Sequence, residues 1–206
     1  MTRVRSDRSD AASLLRDVLS KDGVVVVPTD TLYGLSTALS SRKGFDRIIA
    51  IKRCGNDRRF LYLAASAEMV ERYIDGWGCV SRGRLEKIWP APLTAVFRAG
   101  ARCPDWVGET IAFRVPRHAL LKTTVDALGE PILSTSVNET GHPPLEDVDV
   151  IEERFGALID LIADEGRLAG GGPSTLVDFT GEKPVVLRAG GYDWEAAGKP
   201  SKRRSL

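Results

Sequence analysis

Val24-Val25-Val26-Val27-Pro28-Thr29-Asp30-Thr31-Leu32-Tyr33-Gly34-Leu35 sets an apolar run directly against a cluster of polar side chains. Four β-branched residues in succession predict a buried strand. Pro28 ends it. Two threonines, an aspartate and a tyrosine follow, closed by Gly34. A buried strand that leads into hydroxyl and carboxylate groups predicts a site at the strand's end, as in open α/β sheets generally. The same residues also suit a Pro-Thr-Asp turn that caps a helix, with Asp30 or Thr31 as N-cap. This segment alone leaves both readings open.

Working outward, apolar spacing predicts a helix over Ala11 to Leu19, stopped by Gly23, and another over Gly44 to Lys52. Phe60 to Ala65 reads as a strand. Ala67 to Tyr73 and Arg84 to Trp89 read as helical. Leu93 to Arg98 and Ile111 to Val115 read as strands, His118 to Leu128 as a helix closed by Gly129, and Ile132 to Ser136 as a strand. Ile151 to Phe155 has helical character and Leu158 to Ala163 strand character. Thr175 to Phe179 and Val185 to Arg188 complete the set of strands. Strands and helices alternate irregularly, with several strands in succession. That pattern predicts an α/β fold: one twisted mixed sheet of parallel and antiparallel strands, with flanking helices.

The 206 residues fit a single domain, with a core over about 11–194 and a basic tail over 195–206 expected to be disordered. Apolar content of 43% is ordinary for a chain with a real core. A net charge of +1 gives composition no argument for a nucleic-acid or membrane partner. Cys54, Cys79 and Cys103 are odd in number and lack zinc or disulfide spacing. Met1 to Lys21 has no signal-peptide character, and no apolar run approaches the ~20 residues of a membrane span, so a cytoplasmic location is expected.

Several residues could carry chemistry. Lys52, Arg53, Arg58 and Arg59 flank Gly55-Asn56-Asp57. They read either as a solvated charged loop or as a phosphate clamp, since guanidinium and ammonium groups complement triphosphate charge. Alternation along a strand sends Ser134, Ser136 and Asn138 to one face. That face is either a hydrogen-bonding ladder for a ligand or the polar outside of an edge strand. Arg114 stands inside the apolar run Ile111-Ala112-Phe113-Arg114-Val115, where an arginine is costly unless paired. A core carboxylate such as Asp30 would pair it. Gly170-Gly171-Gly172 before Pro173-Ser174-Thr175 permits close backbone approach to a ligand, or is a flexible turn. It is not a Walker loop. His118 and His142 have no partner at metal spacing, no metal-ligand set is expected, and no Ser-His-Asp order is present.

The opening Pro28-Thr29-Asp30-Thr31-Leu32-Tyr33-Gly34-Leu35 resembles the signature of the YrdC-like threonylcarbamoyl-AMP synthases. Pro90-Ala91-Pro92-Leu93-Thr94, Ser134-Thr135-Ser136-Val137-Asn138 and Pro173-Ser174-Thr175-Leu176-Val177-Asp178, with Arg188 beyond, match in the family's order and spacing. The resemblance runs from about Val24 to Gly191 and implies a YrdC-like open α/β fold with a concave cleft. It implies condensation of L-threonine, bicarbonate and ATP, with release of pyrophosphate and Mg²⁺ bridging the phosphates. The product is the donor for N6-threonylcarbamoylation of adenosine 37 in tRNA, which links the chain to a downstream threonylcarbamoyl-transferase and to weak tRNA contact. Lys52 and Arg114 are the implied catalytic residues. Thr29, Asp30, Thr31, Tyr33, Arg114 and Ser174 are implied for threonine and bicarbonate. Lys52, Arg53, Arg58, Ser134, Ser136, Asn138, Thr175 and Arg188 are implied for nucleotide. One departure stands out. The family has Lys-x-Arg where this chain has Lys52-Arg53-Cys54, so Cys54 occupies the arginine's place. YciO-type paralogues of the same fold lack the Lys-x-Arg and Ser-x-Asn pair, and this chain sits between the two groups. A nucleic-acid-binding module gripping phosphates through the basic cluster is the alternative of a different class.

Overall fold

The computed structural model describes residues 1–55, 59–168 and 172–197. In chain order the elements are β1 (Thr2–Arg5), α1 (Ala11–Leu19), β2 (Val25–Pro28), β3 (Tyr33–Ala38), α2 (Arg42–Lys52), β4 (Leu61–Leu63), α3 (Ala67–Glu71), α4 (Arg82–Ile88) and β5 (Leu93–Arg98). There follow β6 (Thr110–Arg114), α5 (Ala119–Leu128), β7 (Ile132–Ser136), α6 (Val148–Phe155), β8 (Leu161–Asp164), β9 (Thr175–Asp178), β10 (Val185–Arg188) and α7 (Trp194–Ala197). Ten strands form one mixed sheet in the order β1-β8-β2-β3-β7-β4-β6-β5-β9-β10.

The valine run behaves as its composition dictates. Val24 through Val27 are each 0% exposed, and β2 lies between parallel β8 and antiparallel β3. A strand covered on both faces reads as a continuous apolar run. The segment after it forms no helix. Thr29 closes a tight turn: its Oγ1 donates to the Leu32 carbonyl at 2.8 Å and accepts from the Thr31 and Leu32 amides at 3.1 Å each. The chain then reverses into β3, so Asp30 and Thr31 cap nothing. The helix alternative fails because Tyr33 and Leu35 are buried at 0% exposure in a strand paired on both sides.

The helices end as their sequences require. Ser41 caps α2, its hydroxyl accepting from the Gly44 amide at 2.9 Å. Gly44 has no alternative there: a Cβ would stand 1.9 Å from Thr37 Oγ1, so α2 packs backbone-close against β3. Gly129 closes α5 at φ 81°. Beyond β9, Phe179 stacks with Phe97 at 5.8 Å between centroids and meets Trp194 edge-on at 5.1 Å. That contact docks α7, which includes residues 194–197 of the segment expected to be a core boundary and disordered tail. At the other end β1, outside the expected core, pairs parallel with β8. The basic residues Lys199 to Arg204 and the glycines Gly170 and Gly171 lie outside the described residues.

Candidate functional site

The sheet register builds the site. Ser36 pairs with Ser134, Ser134 with Leu61, Leu61 with Ala112, Ala112 with Val96 and Val96 with Asp178. Paired residues on neighbouring strands project to one side. This row therefore crosses six strands on one face. Tyr62, Phe113, Ala95 and Leu133 project to the other face and are buried. The first face is concave and holds a cavity of about 570 Å³. The site thus spreads across the face of the central strands, rather than sitting at the end of one strand as the valine run suggests. In a mixed sheet the strand ends do not all point one way, so the strand-end rule for parallel sheets does not apply.

Of the residues expected from sequence, Thr29, Thr31, Tyr33, Arg114, Ser134, Ser136, Ser174 and Arg188 line the cavity. Asp30, Lys52, Arg53, Asn138 and Thr175 are not on its wall. Arg58 lies outside the described residues. The nucleotide set is divided by the strand order: Ser134 and Ser136 stand on β7 and Arg188 on β10, with Arg114 on β6 between them.

Arg114 is the charged centre of the wall. It is 3% exposed, donates through Nη2 to Asp30 and through Nη1 to Thr31 Oγ1 at 3.1 Å, and its Nε has no partner among the described residues. Burial pulls its guanidinium down to about 10. The buried arginine is therefore paired with Asp30, as its strand context requires, while still facing the cavity.

Lys52 ends α2, where the helix dipole favours a cation. It is 1% exposed, and its Nζ donates to the Ser136 carbonyl at 2.8 Å and to Asn138 Oδ1. Ser136 Oγ donates to the same Asn138 Oδ1 at 2.8 Å, and Asn138 Nδ2 donates to the His142 carbonyl. Lysine, serine and asparagine so form one network beneath the β7 side of the cavity. Arg53 leaves it. In the left-handed conformation at φ 49°, its side chain is 76% exposed and pairs with Glu139 at 3.5 Å.

Two expected residues hold structure together. The Tyr33 hydroxyl donates to the Gly166 carbonyl at 2.8 Å and accepts from the Glu165 amide at 2.9 Å. Burial pushes its phenol up to about 12, so it stays protonated as a tether. Thr175 Oγ1 donates to the Tyr192 carbonyl at 2.5 Å and accepts from the Tyr192 amide at 3.0 Å, behind the sheet from the cavity. Thr94, Thr110 and Asp178 line the cavity without having been singled out from sequence. Thr94 lies in the quoted Pro90 to Thr94 motif, and its place inside an apolar strand was the available signal. Gly34 keeps the floor open, because a Cβ there would come within 2.5 Å of Ser134 Oγ.

No helix among the described residues is long and apolar enough to cross a membrane. No group of three or more His, Cys, Asp or Glu residues among them could hold a metal ion.

The family model for the Sua5/YciO/YrdC domain, described as telomere recombination, matches residues 17–190. A protein of Escherichia coli strain K12 named threonylcarbamoyl-AMP synthase is 34% identical over 181 residues, which is 84% of this chain and 94% of that protein. The crystal structure of P. abyssi Sua5 complexed with L-threonine superposes with a TM-score of 0.82 at 27% identity, over 92% of this chain. This chain spans only 57% of that protein. The crystal structure of E. coli YciO superposes with a TM-score of 0.82 at 26% identity, over 94% of this chain and 96% of that one.

Proposed function

The chain belongs to the Sua5/YciO/YrdC family, and we propose that it is an L-threonylcarbamoyladenylate synthase, condensing L-threonine, bicarbonate and ATP and releasing pyrophosphate. The observation that carries this reading is the concave cavity that gathers Thr31, Arg114, Ser134, Ser136, Ser174 and Arg188 on one face. It sits in a chain 34% identical to a synthase along 84% of its length.

The residues suit a reaction that needs placement and charge neutralisation more than a protein nucleophile. Arg114 receives the amino acid's carboxylate, and the hydroxyls around it read the side-chain hydroxyl. The threonine amine attacks the carbon of bicarbonate and water leaves to give a carbamate; the carbamate oxygen then attacks the α-phosphate in line and displaces pyrophosphate. Ser136 on one flank, backed by Lys52 and Asn138 from beneath, and Arg188 on the other face the triphosphate. Thr29 and Tyr33 act by holding the walls, since their hydroxyls are already engaged.

The described residues do not make a magnesium site of their own. Asn138 Oδ1 already accepts from the Lys52 ammonium and from Ser136 Oγ, and Asp178 is a single carboxylate on the cavity wall with no second one beside it among the described residues. We therefore assign Mg²⁺ to the incoming triphosphate and give it no protein ligand. The product would feed a tRNA threonylcarbamoyl-transferase acting at adenosine 37, from a cytoplasmic location.

Mass spectrometry of the product formed from ATP, threonine and ¹³C-bicarbonate tests the reading. One labelled carbon in a threonylcarbamoyl adenylate is expected, with pyrophosphate release that requires threonine and bicarbonate together. Release without either substrate, or salt-sensitive RNA binding with no turnover, rejects it. One observation favours a YciO-type activity as a second reading. With Cys54 in the arginine's place, Arg53 turns outward to Glu139 and offers nothing to the cavity.

A further inference from the structure

Of the four cations that flank Gly55-Asn56-Asp57, three are described, and of those Arg59 alone lines the cavity. Lys52 lies beneath the wall, and Arg53 turns out to Glu139. The family resemblance gives Arg59 no role, and the sheet brings it to the site. Leu61 stands opposite Ser134 on antiparallel β7 and opposite Ala112 on parallel β6. Two residues earlier, the same register sets Arg59 between Ser136 and Thr110, which both line the cavity. Arg59 so adjoins Ser136 from the cavity side. The Ser136 carbonyl holds Lys52, and its hydroxyl holds Asn138.

The guanidinium is placed but not neutralised. Its Nη1 donates to the Val107 carbonyl, the one hydrogen bond it makes among the described residues, and no carboxylate pairs with it there. Gly108 makes the room: a Cβ at that position would stand 2.0 Å from Arg59 Nη1, and its φ of 81° suits glycine. The other cations of the wall are committed. Arg114 meets Asp30, and Arg188 donates through Nε and Nη2 to the Ser174 carbonyl at 3.2 and 2.9 Å. A guanidinium has five N–H donors in a planar fork. The bond to Val107 leaves four of them, including the Nε and Nη2 edge that meets two oxygens of one phosphate.

We propose that Arg59 binds the β- and γ-phosphates of ATP, the pyrophosphate that leaves, and so supplies the cation that Cys54 does not. This rests on the synthase reading and adds Arg59 to it as a residue that touches substrate. Arg114 stands opposite Leu63, four residues along the chain from Arg59, which is about 13 Å at the rise of a strand. An α-phosphate beside the amino acid at Arg114 therefore leaves the two outer phosphates to extend along the strands toward Arg59 and Ser136.

Calorimetric titration of inorganic pyrophosphate and of AMP, each with magnesium, into the full chain and its Arg59→Gln variant tests this. Arg59 is exposed at the rim of the cavity, so the fold does not depend on its charge. Glutamine keeps an N–H donor and removes the charge and the fork. The variant should bind pyrophosphate about tenfold more weakly, the loss of one charged contact, and AMP as tightly as the wild type does. In steady state its KM for ATP should rise by a similar factor, with the KM for threonine unchanged. An arginine that only pins the turn at Val107 would not separate pyrophosphate from AMP. Unchanged pyrophosphate affinity in Arg59→Gln, or an equal loss of AMP affinity, overturns the assignment. A wild-type chain that makes no threonylcarbamoyl adenylate overturns the synthase reading itself, a result visible before any variant is measured.

Discussion

Arg114 donates through Nη2 to the carboxylate of Asp30, the arginine buried and the aspartate partly buried, with side chains 4% and 15% exposed. A charge at such a site is tolerated because its partner is present. The pair ties the turn after β2 to the end of β6, two pieces of chain 84 residues apart.

The first prediction follows from that pairing. Removing one partner strands the other, so Asp30→Ala should lower stability by about 3–5 kcal/mol. The double variant Asp30→Ala, Arg114→Met removes both charges and should be more stable than Asp30→Ala alone. Urea unfolding of both proteins checks it. A double variant weaker than the single one rejects the claim that the unpaired Arg114 charge is what destabilises Asp30→Ala.

Lys52→Ala should abolish adenylate formation. Losing a charged contact to phosphate costs about 1.5–3 kcal/mol in binding alone. The burial of Lys52 adds a second expectation. Its ammonium holds the Ser136 carbonyl and Asn138 Oδ1, so the variant should also lose stability. Lys52→Met fills more of the space and should recover part of that stability while remaining inactive. Wild-type pyrophosphate release by either variant with ATP below saturation rejects the role.

Much of this fold is legible in the sequence where burial is one-sided or complete. The strands Leu93–Arg98 and Ile132–Ser136 have the bounds that their residues suggest, and so has Val185–Arg188, whose apolar run marks it although Val185 and Leu187 are exposed. Tyr33–Ala38 is hidden because Ser36 and Thr37 are polar yet 0% exposed, so the apolar pattern that marks a strand is broken. Thr2–Arg5 is hidden because only Val4 is buried and its partner strand is about 160 residues away. The Arg114–Asp30 pair is legible because a charge in an apolar strand demands a partner. The Thr94–Ser174 contact is not, since a single hydroxyl is at home in a strand or loop and nothing local points across 80 residues. Ser134 and Ser136 face the cavity as alternation requires. Thr175 faces away from it for the same reason, because its neighbours Ser174 and Leu176 face in.

Cys54 gives a prediction with two clear outcomes. It is half-buried against the core, and Arg53 beside it is turned toward Glu139. If the absent arginine weakens nucleotide binding, Cys54→Arg should tighten it by about 1.5–3 kcal/mol, the worth of one charge-assisted hydrogen bond. Calorimetric titration of ATP into both proteins decides. Unchanged affinity rejects the claim that this departure matters.

Asp160 sets a pH dependence of stability. Burial opposes its charge, but hydrogen bonds from Arg47 and from the Val24 amide outweigh that, and its carboxyl is held below the ordinary value of 3.8. A depressed carboxyl adds stability above its unfolded value and loses it as pH falls through the folded one. Wild-type protein should lose unfolding free energy as pH drops below about 4. Asp160→Asn should start lower and lose less over that range. Urea midpoints measured across it that fall in parallel for the two proteins exclude Asp160 as a source of the dependence.

Amino-acid selection tests the cavity wall most directly. Arg114 lines the cavity and brings its charge to a carboxylate there, and Thr31 supplies a hydroxyl beside it. Thr29 is less available, because its hydroxyl already donates to the Leu32 carbonyl. A site built around a substrate hydroxyl rejects an isostere that lacks it, since its own buried polar groups are then left unpaired. Serine should therefore turn over, less well, having lost one methyl contact worth roughly 1 kcal/mol. Valine has nearly threonine's shape and should fail. Arg114→Lys should fail with threonine as well, because an ammonium cannot reproduce the planar fork that meets Asp30, Thr31 and the ligand together. Turnover of valine equal to that of threonine would remove these hydroxyls from the amino-acid site, and with them the physical reason for assigning threonine as the substrate.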